Sequence, residues 1–361
     1  MRIWVIMGGW ASEREVSLES GRAVAEALRQ KGHQVYAYEL GEGRFLQGES
    51  TPDEVLDRLI APGGEAGEKG PGGQVGQPPR WAGRLLSAAD ALKDRADVAF
   101  LALHGGVGED GTIQALLDAA GFPYTGSGPT ASGIAMDKCL TKLLMQAIGV
   151  PTPLWTLVPA PAPGSRPASP DILRETPVGG LPVVVKPIRE GSSVGVTIVM
   201  RPEEWAPALQ AGAATVGDPE GRSGQLLVEK YIGGRELTVG ILDRRVLPVV
   251  EIRPHEGFYD YRNKYSPGHT SYEVPARLTG GAEHILNDSA GRLVETLGCR
   301  GMARVDFRLP PDGDPLCLEV NTIPGLTGTS LLPKAAQAVG IGFPEMLEIV
   351  CRAALGRGGA R

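Results

Sequence analysis

The short run from Arg2 to Met7, apolar from Ile3 on, stops at Gly8-Gly9, and from Val16 to Leu28 apolar residues recur at helical spacing until Gly32 ends the pattern. This predicts a strand, a turn and a helix. Gln34 to Leu40 and Asp97 to His104 read as two further strands, so the first part of the chain is predicted to be a parallel α/β unit whose strand-end loops face a ligand. Between them, Pro62 to Pro79 is dominated by Gly and Pro and lacks the apolar residues that would offset chain entropy, which predicts a flexible surface insertion. A single long helix is predicted over Thr130 to Ile148, with Lys138 and Lys142 interspersed among its apolar positions and Gly149 and Pro151 ending it.

Downstream, strand patterns at Leu181–Lys186, Gly195–Val199 and Gln225–Lys230 surround a helix near Glu203–Ala213, an α+β arrangement. Strands are predicted around Glu236–Val250, then a polar and aromatic stretch from His255 to Tyr272, and a helix at Ala282–Leu297. Met302–Leu309 and Pro315–Asn321 flank Pro-Pro-Asp-Gly-Asp, a turn sequence that makes them antiparallel partners. Helices from Leu332 and Pro344 follow, and no internal repeat or heptad run occurs.

At 361 residues the chain exceeds what one hydrophobic core usually supports, so two or three domains sharing an interface, with a cleft between them, are expected. A net charge of −6 without a Lys/Arg tract argues against nucleic acid as a partner, and no apolar run approaches the ~20 residues of a membrane span. Cys139, Cys299, Cys317 and Cys351 never fall at metal-ligand or C-x-x-C spacing, which fits buried thiols in a reducing compartment. The N-terminus lacks a signal-peptide pattern, and the expected location is the cytoplasm. High Gly (51) and Pro (30) usage predicts many tight turns.

The predicted hairpin carries the first candidate chemistry. Arg304 and Asp306 share one strand face, Glu319 and Asn321 one face of its partner, and apolar residues alternate with them. If the register aligns them, Asp306, Glu319 and Asn321 form a hard oxygen set suited to magnesium, with Arg304 beside it to bind an oxyanion. The alternative is a salt-bridged surface hairpin. A second candidate is Lys186, closing an apolar strand before Gly191-Ser192-Ser193-Val194-Gly195, a turn whose N–H groups suit phosphate. No P-loop sequence is present. Gly106–Gly111 satisfies G-x-G-x-x-G, yet Glu109 and Asp110 within it would repel a pyrophosphate, so it reads as a Gly-rich turn before a helix with His104 at the substrate. Glu13 and Glu15 admit two readings: stabilisation of a helix first turn, or an anion for a substrate ammonium.

Taken together these segments resemble the D-alanine:D-alanine ligases of the ATP-grasp superfamily. The matching segments are Gly8-Gly9 with Glu13-Arg14-Glu15-Val16-Ser17, His104-Gly105 with Gly108-Glu109-Asp110-Gly111, Met136-Asp137-Lys138, and Lys186-Pro187 with Glu190 to Gly195. They continue through Glu229-Lys230, Phe258 to Tyr261 with Lys264-Tyr265, Arg304-Val305-Asp306, and Glu319-Val320-Asn321-Thr322 with Pro324 to Thr327.

The resemblance implies an α/β, Rossmann-like pre-ATP-grasp domain over residues 1–126, followed by a two-lobed α+β ATP-grasp fold with a central lobe at 127–229 and a C-terminal lobe at 230–361. It implies ATP-dependent joining of two D-alanine molecules through an acyl phosphate, in a homodimer that supplies peptidoglycan precursor. Lys138 and Lys186 are then phosphate binders, Glu229, Lys230, Ile232 and Glu236 line the adenine and ribose pocket, and Ser193 and Lys264 also contact the nucleotide. Asp306, Glu319 and Asn321 hold two magnesium ions, for which manganese can substitute. Glu13 holds the first substrate's ammonium and forms a closing triad with Ser192 and Tyr265, while His104 also faces substrate. Arg304 and Gly325 stabilise the oxyanion, and Ser330 with Leu331 receives the second substrate.

The resemblance further implies amide over ester formation, because ester-forming relatives lack the Lys264-Tyr265 pair. Departures from the family pattern are the 62–79 insertion, Trp10 and Ile188. Two other readings are a different ATP-grasp enzyme, such as a ligase with another acceptor or a biotin-type carboxylase component, and a silent ligand-binding protein. Product analysis separates the first; the retained charges of the cleft argue against the second.

Overall fold

A computed structural model describes residues 1–46, 80–162, 164–215, 224–255 and 270–356. The insertion expected at 62–79 lies outside the described residues, as do residues 256–269 of the polar and aromatic stretch, Lys264 and Tyr265 among them.

Three sheets organise the described residues. The first has the order β3-β2-β1-β4, built from β1 (Arg2–Met7), β2 (Gln34–Glu39), β3 (Arg44–Phe45) and β4 (Val98–Leu101). β1 pairs in parallel with both β2 and β4. Ile3 to Met7 have no exposed surface, as expected of a strand covered on both faces. Helix α1 (Arg14–Gln30) crosses from β1 to β2, and α2 (Arg80–Leu92) leads into β4. The sequence reading did not anticipate α2, although Trp81, Leu85, Ala88 and Leu92 form its buried face. A 3-10 turn at Gly106–Gly108 and helix α3 (Thr112–Ala119) follow β4, which is the turn-before-helix reading of the glycine motif.

The single helix expected over 130–148 is two: α4 (Pro129–Met136) and α5 (Lys138–Ala147). Asp137 between them is extended, and its carboxylate accepts the N–H groups of Cys139 and Leu140 at 3.1 and 3.0 Å. An aspartate competes with the backbone for these donors, so it restarts a helix better than it continues one. The break sets Lys138 at the first position of α5.

The second sheet is antiparallel, in the order β5-β8-β6-β7. Its strands are β5 (Trp155–Pro159), β6 (Val183–Lys186), β7 (Thr197–Val199) and β8 (Gln225–Lys230), with α6 (Pro202–Thr215) packed on it through Trp205 and Leu209. The third sheet has the order β12-β11-β9-β13-β14, with β10 pairing to β9. Its strands are β9 (Arg235–Leu242), β10 (Arg245–Val246), β11 (Val250–Pro254), β12 (Thr270–Glu273), β13 (Met302–Leu309) and β14 (Leu316–Asn321). Helix α7 (Ala282–Leu297) covers one face, and Ala135, Met145 and Val150 from the α4–α5 region share that core. The chain closes with α8 (Leu331–Gln337) and α9 (Phe343–Leu355).

Met346, Leu347 and Val350 of α9 pack into the core of the first sheet, bringing the end of the chain back to its beginning. Among the described residues, no helix is long and apolar enough to cross a membrane.

Candidate active site

The first sheet places its loops at a switch point. From β1 the chain runs to β2 on one side and later returns as β4 on the other, which leaves a crevice at the carboxyl ends of β1 and β4. Gly8 opens that crevice at φ +79°, and a Cβ there would stand 1.9 Å from the carboxylate of buried Glu39. That carboxylate accepts the Gly9 N–H at 3.0 Å, while the Gly8 N–H donates to Ser17 Oγ at 2.8 Å. The loop is thereby fixed by buried side chains.

Glu13 ends this loop and is buried, whereas the side chain of Glu15 is 82% exposed and pairs with Arg14. The Ser192 hydroxyl donates to the Glu13 carboxylate. A Cβ on Gly105 or Gly191 would lie 2.9 or 2.7 Å from Glu13 Oε2, so two separate glycine loops make the slot for this carboxylate. Of the two glutamates considered from sequence, Glu13 is the one built into the site. His104 is buried beside it, with Nε2 3.0 Å from Ser20 Oγ and Nδ1 3.7 Å from Glu109.

The β13–β14 hairpin has the register that the oxygen set requires: Arg304 is opposite Asn321, and Asp306 is opposite Glu319. Val305 and Phe307 are buried in the core beneath. Arg304, Glu319 and Asn321 line a cavity of about 600 Å³ that also receives Glu13, His104 and Ser192, so this face is a cleft wall and not a solvated surface. Arg304 forms a two-pronged pair with Asp306, Nε to Oδ1 at 2.9 Å and Nη2 to Oδ2 at 2.8 Å. Thr238 donates to the same carboxylate at 2.6 Å. Two carboxylates and a carboxamide oxygen aligned on one hairpin face form an all-oxygen donor set that fits magnesium or manganese.

Gly325, Ser330 and Leu331 follow β14 and line the same cavity. Ser330 Oγ accepts the Thr327 N–H at 3.1 Å, and Gly325 has no side chain where a Cβ would lie 3.0 Å from that hydroxyl.

A second, narrower cavity of about 120 Å³ lies between the second and third sheets. Val184, Ile198, Ile232 and Leu318 supply apolar walls suited to a flat ring, while Lys138, Lys186 and Ser193 supply polar groups suited to phosphate. Lys138, Glu190, Gly191, Ser192 and Glu319 line both cavities, which therefore form one continuous cleft. Lys138 Nζ donates to the Glu190 carbonyl at 2.6 Å and lies 3.6 Å from Glu319. Lys230 is tied to the Gly180 carbonyl at 3.2 Å, and Glu236 to Arg308 at 3.0 Å.

Sequence reasoning missed the role of Lys142. Its ammonium lies 2.8 Å from Glu229 Oε1, and Lys186 lies 2.6 Å from Oε2. Burial pushes the Glu229 carboxyl up, but the two ammonium groups outweigh it and hold the carboxyl below its usual range. Burial also draws Lys142 down, against the opposing pull of Glu229, and nearby Lys186 adds to the lowering. The available signal was spacing: Lys142 follows Lys138 by one helical turn, on the same face of α5. Ile188 has a structural role as well. It packs with Cys139 and Leu227, and its carbonyl accepts the Lys138 N–H at 3.1 Å. Trp10 lies against Trp81, with ring centroids 5.5 Å apart.

Family models described as D-ala D-ala ligase N-terminus and D-ala D-ala ligase C-terminus match residues 2–127 and 144–352. The chain is 40% identical over 347 residues to the D-alanine–D-alanine ligase of Syntrophotalea carbinolica, covering 96% of this chain and 94% of that protein. It is 39% identical to that of Moorella thermoacetica, covering 98% and 99%. Among solved structures, the D-alanine–D-alanine ligase of Bacillus anthracis matches with a TM-score of 0.71 at 31% identity, covering 99% of this chain and 98% of that one. A structure of that protein complexed with ATP matches equally well.

Proposed function

Because the chain belongs to the D-alanine–D-alanine ligase family, we propose that its continuous cleft joins two D-alanine molecules at the expense of ATP, releasing ADP and phosphate. The observation that carries this reading is the sharing of Lys138, Ser192 and Glu319 between the narrow cavity and the wide one. A nucleotide in the first would present its terminal phosphate to amino acids in the second.

The chemistry needs two steps. A carboxylate is a poor electrophile, so a carboxylate oxygen of the first D-alanine attacks the γ-phosphorus and ADP leaves. The free amine of the second D-alanine then attacks the acyl carbon, the acyl C–O bond breaks with its electron pair going to the departing phosphate, and the nitrogen loses a proton to give the neutral amide. The acyl phosphate survives only where water is excluded.

Glu13, buried and fixed by Ser192, binds the ammonium of the first D-alanine, and Tyr265 completes the closing triad. Lys138, Lys186, Ser193 and Lys264 bind phosphate oxygens. Glu229, Lys230, Ile232 and Glu236 receive the adenine and ribose. Asp306, Glu319 and Asn321 would hold two magnesium ions, or manganese in their place, which neutralise phosphate charge when bound. Arg304 and the Gly325 N–H face the tetrahedral oxyanion, His104 lies beside the first substrate, and Ser330 with Leu331 receives the second. Preorganised donors of this kind stabilise charge as it develops.

In this reading three units, 1–126, 127–229 and 230–361, meet at the cleft. The protein acts as a cytoplasmic homodimer that supplies peptidoglycan precursor.

The test is phosphate release from ATP and magnesium with D-alanine, with L-alanine and D-lactate as controls and mass analysis of the product. D-alanine-dependent release with a dipeptide product supports the assignment; release that requires a different amino acid overturns it.

A further inference from the structure

The wide cavity contains a cation that the proposed mechanism does not use. Lys334 lies on α8, one turn after Ser330, and its N–H donates to the Ser330 carbonyl at 3.0 Å. Residues four apart on a helix share a face. Both side chains line the wide cavity together with Arg304 and Tyr272. The Lys334 ammonium sits 5.1 Å from the centroid of the Tyr272 ring, which steadies its position without neutralising its charge.

The other cations of this cavity are already engaged. Arg304 is locked to Asp306 through two nitrogens, and Lys138 donates to the Glu190 carbonyl. Among the described residues, Lys334 has no carboxylate partner. Partial burial draws its ammonium below the usual range. The α1 region of the cavity contributes Glu13, Glu15 and Glu19, which repel a bound carboxylate. An incoming carboxylate is therefore best placed against α8, where a hydroxyl and an ammonium share a face.

We propose that Lys334 is a specificity-determining residue that binds the carboxylate of the second, amine-donating substrate beside Ser330. This rests on the ligase reading and deepens it. Lys334 selects acceptors that carry a carboxylate next to the amine and orients that amine for attack on the acyl carbon.

The test compares wild type, Lys334→Ala and Lys334→Arg in steady-state kinetics that resolve the separate KM values of the two D-alanine sites and of ATP. D-Alaninamide, which keeps the amine but lacks the carboxylate, is offered as an alternative acceptor. Loss of one charge-assisted contact predicts a rise in acceptor KM of about 10- to 100-fold in Lys334→Ala. The loss falls on the acceptor KM more than on kcat, the KM values for ATP and the first D-alanine hold, and selectivity against D-alaninamide collapses. Lys334→Arg restores most of the acceptor affinity. An unchanged acceptor KM, or an equal rise in all three KM values, overturns the assignment of Lys334 and leaves the ligase reading intact. A wild-type protein that forms no dipeptide overturns both.

Discussion

Lys142 reaches Glu229 from inside the protein, its ammonium 2.8 Å from the carboxylate, with both side chains excluded from water. On the other oxygen the carboxylate meets Lys186, which lines the narrow cavity. A lysine that never touches solvent therefore acts on the nucleotide pocket through one intervening carboxylate. Lys142→Met leaves Glu229 with a single counter-charge, which predicts a loss of about 2 to 3 kcal/mol in urea unfolding. The KM for ATP should also rise, because Lys186 is drawn more tightly to Glu229. A variant with wild-type stability and wild-type ATP dependence would show the pair to be inert.

Arg304→Ala removes the guanidinium that faces the proposed oxyanion. The expected cost is about 3 kcal/mol of transition-state stabilisation, a roughly hundred- to thousand-fold fall in rate. Initial-rate measurement of phosphate release checks it, and a loss smaller than tenfold is incompatible with that role.

Asp306 and Glu319 face each other across the hairpin, so either change, Asp306→Asn or Glu319→Gln, weakens the same oxygen set. Chelation by EDTA is expected to abolish phosphate release in the wild type. Each variant should raise the magnesium concentration for half-maximal rate by about tenfold or more. Activity independent of the divalent cation would contradict the assignment.

Acid stability has a specific contributor outside the site. The guanidinium of Arg235 hydrogen-bonds Glu251, burial opposes the effect, and Arg253 reinforces it, so the carboxyl is held down to about 2. Its ordinary value is 4.5. Because the folded value is depressed, the stabilisation is complete above the ordinary value and is lost as pH falls from there toward about 2. Discounted for the solvent that screens the exposed Arg253, the contribution is on the order of 1 to 2 kcal/mol at neutral pH. Glu251→Gln should flatten the dependence of unfolding free energy on pH within that window, measured by urea titration. An unchanged slope would mean that Glu251 keeps a similar partner in the unfolded chain.

Much of the architecture was legible in local pattern. The unbroken apolar run at Ile3 to Met7, the helical spacing before Gly32 and the turn between two alternating strands each report on neighbours a few residues away, where periodicity dictates which face is buried. The hairpin charges could be read as a candidate oxygen set because period-two geometry aligns them without reference to the rest of the chain. The motifs carried the family resemblance for the same reason.

What only the tertiary structure decided involves burial and partners distant in sequence. Glu13 and Glu15 are equivalent in the sequence, and the choice between them comes from the Gly105 and Gly191 loops closing on one carboxylate. The apolar spacing from 130 to 148 suggests one helix, but Asp137 captures two N–H groups and divides it. Lys142 looks like a surface residue on a helical pattern until β8 brings Glu229 to it, and Lys334 until α8 turns it toward the cavity shared with Arg304. The physical reason is common to all four: a charge in a sequence has no environment, and the cost of burying it is set by which distant groups the fold brings within reach.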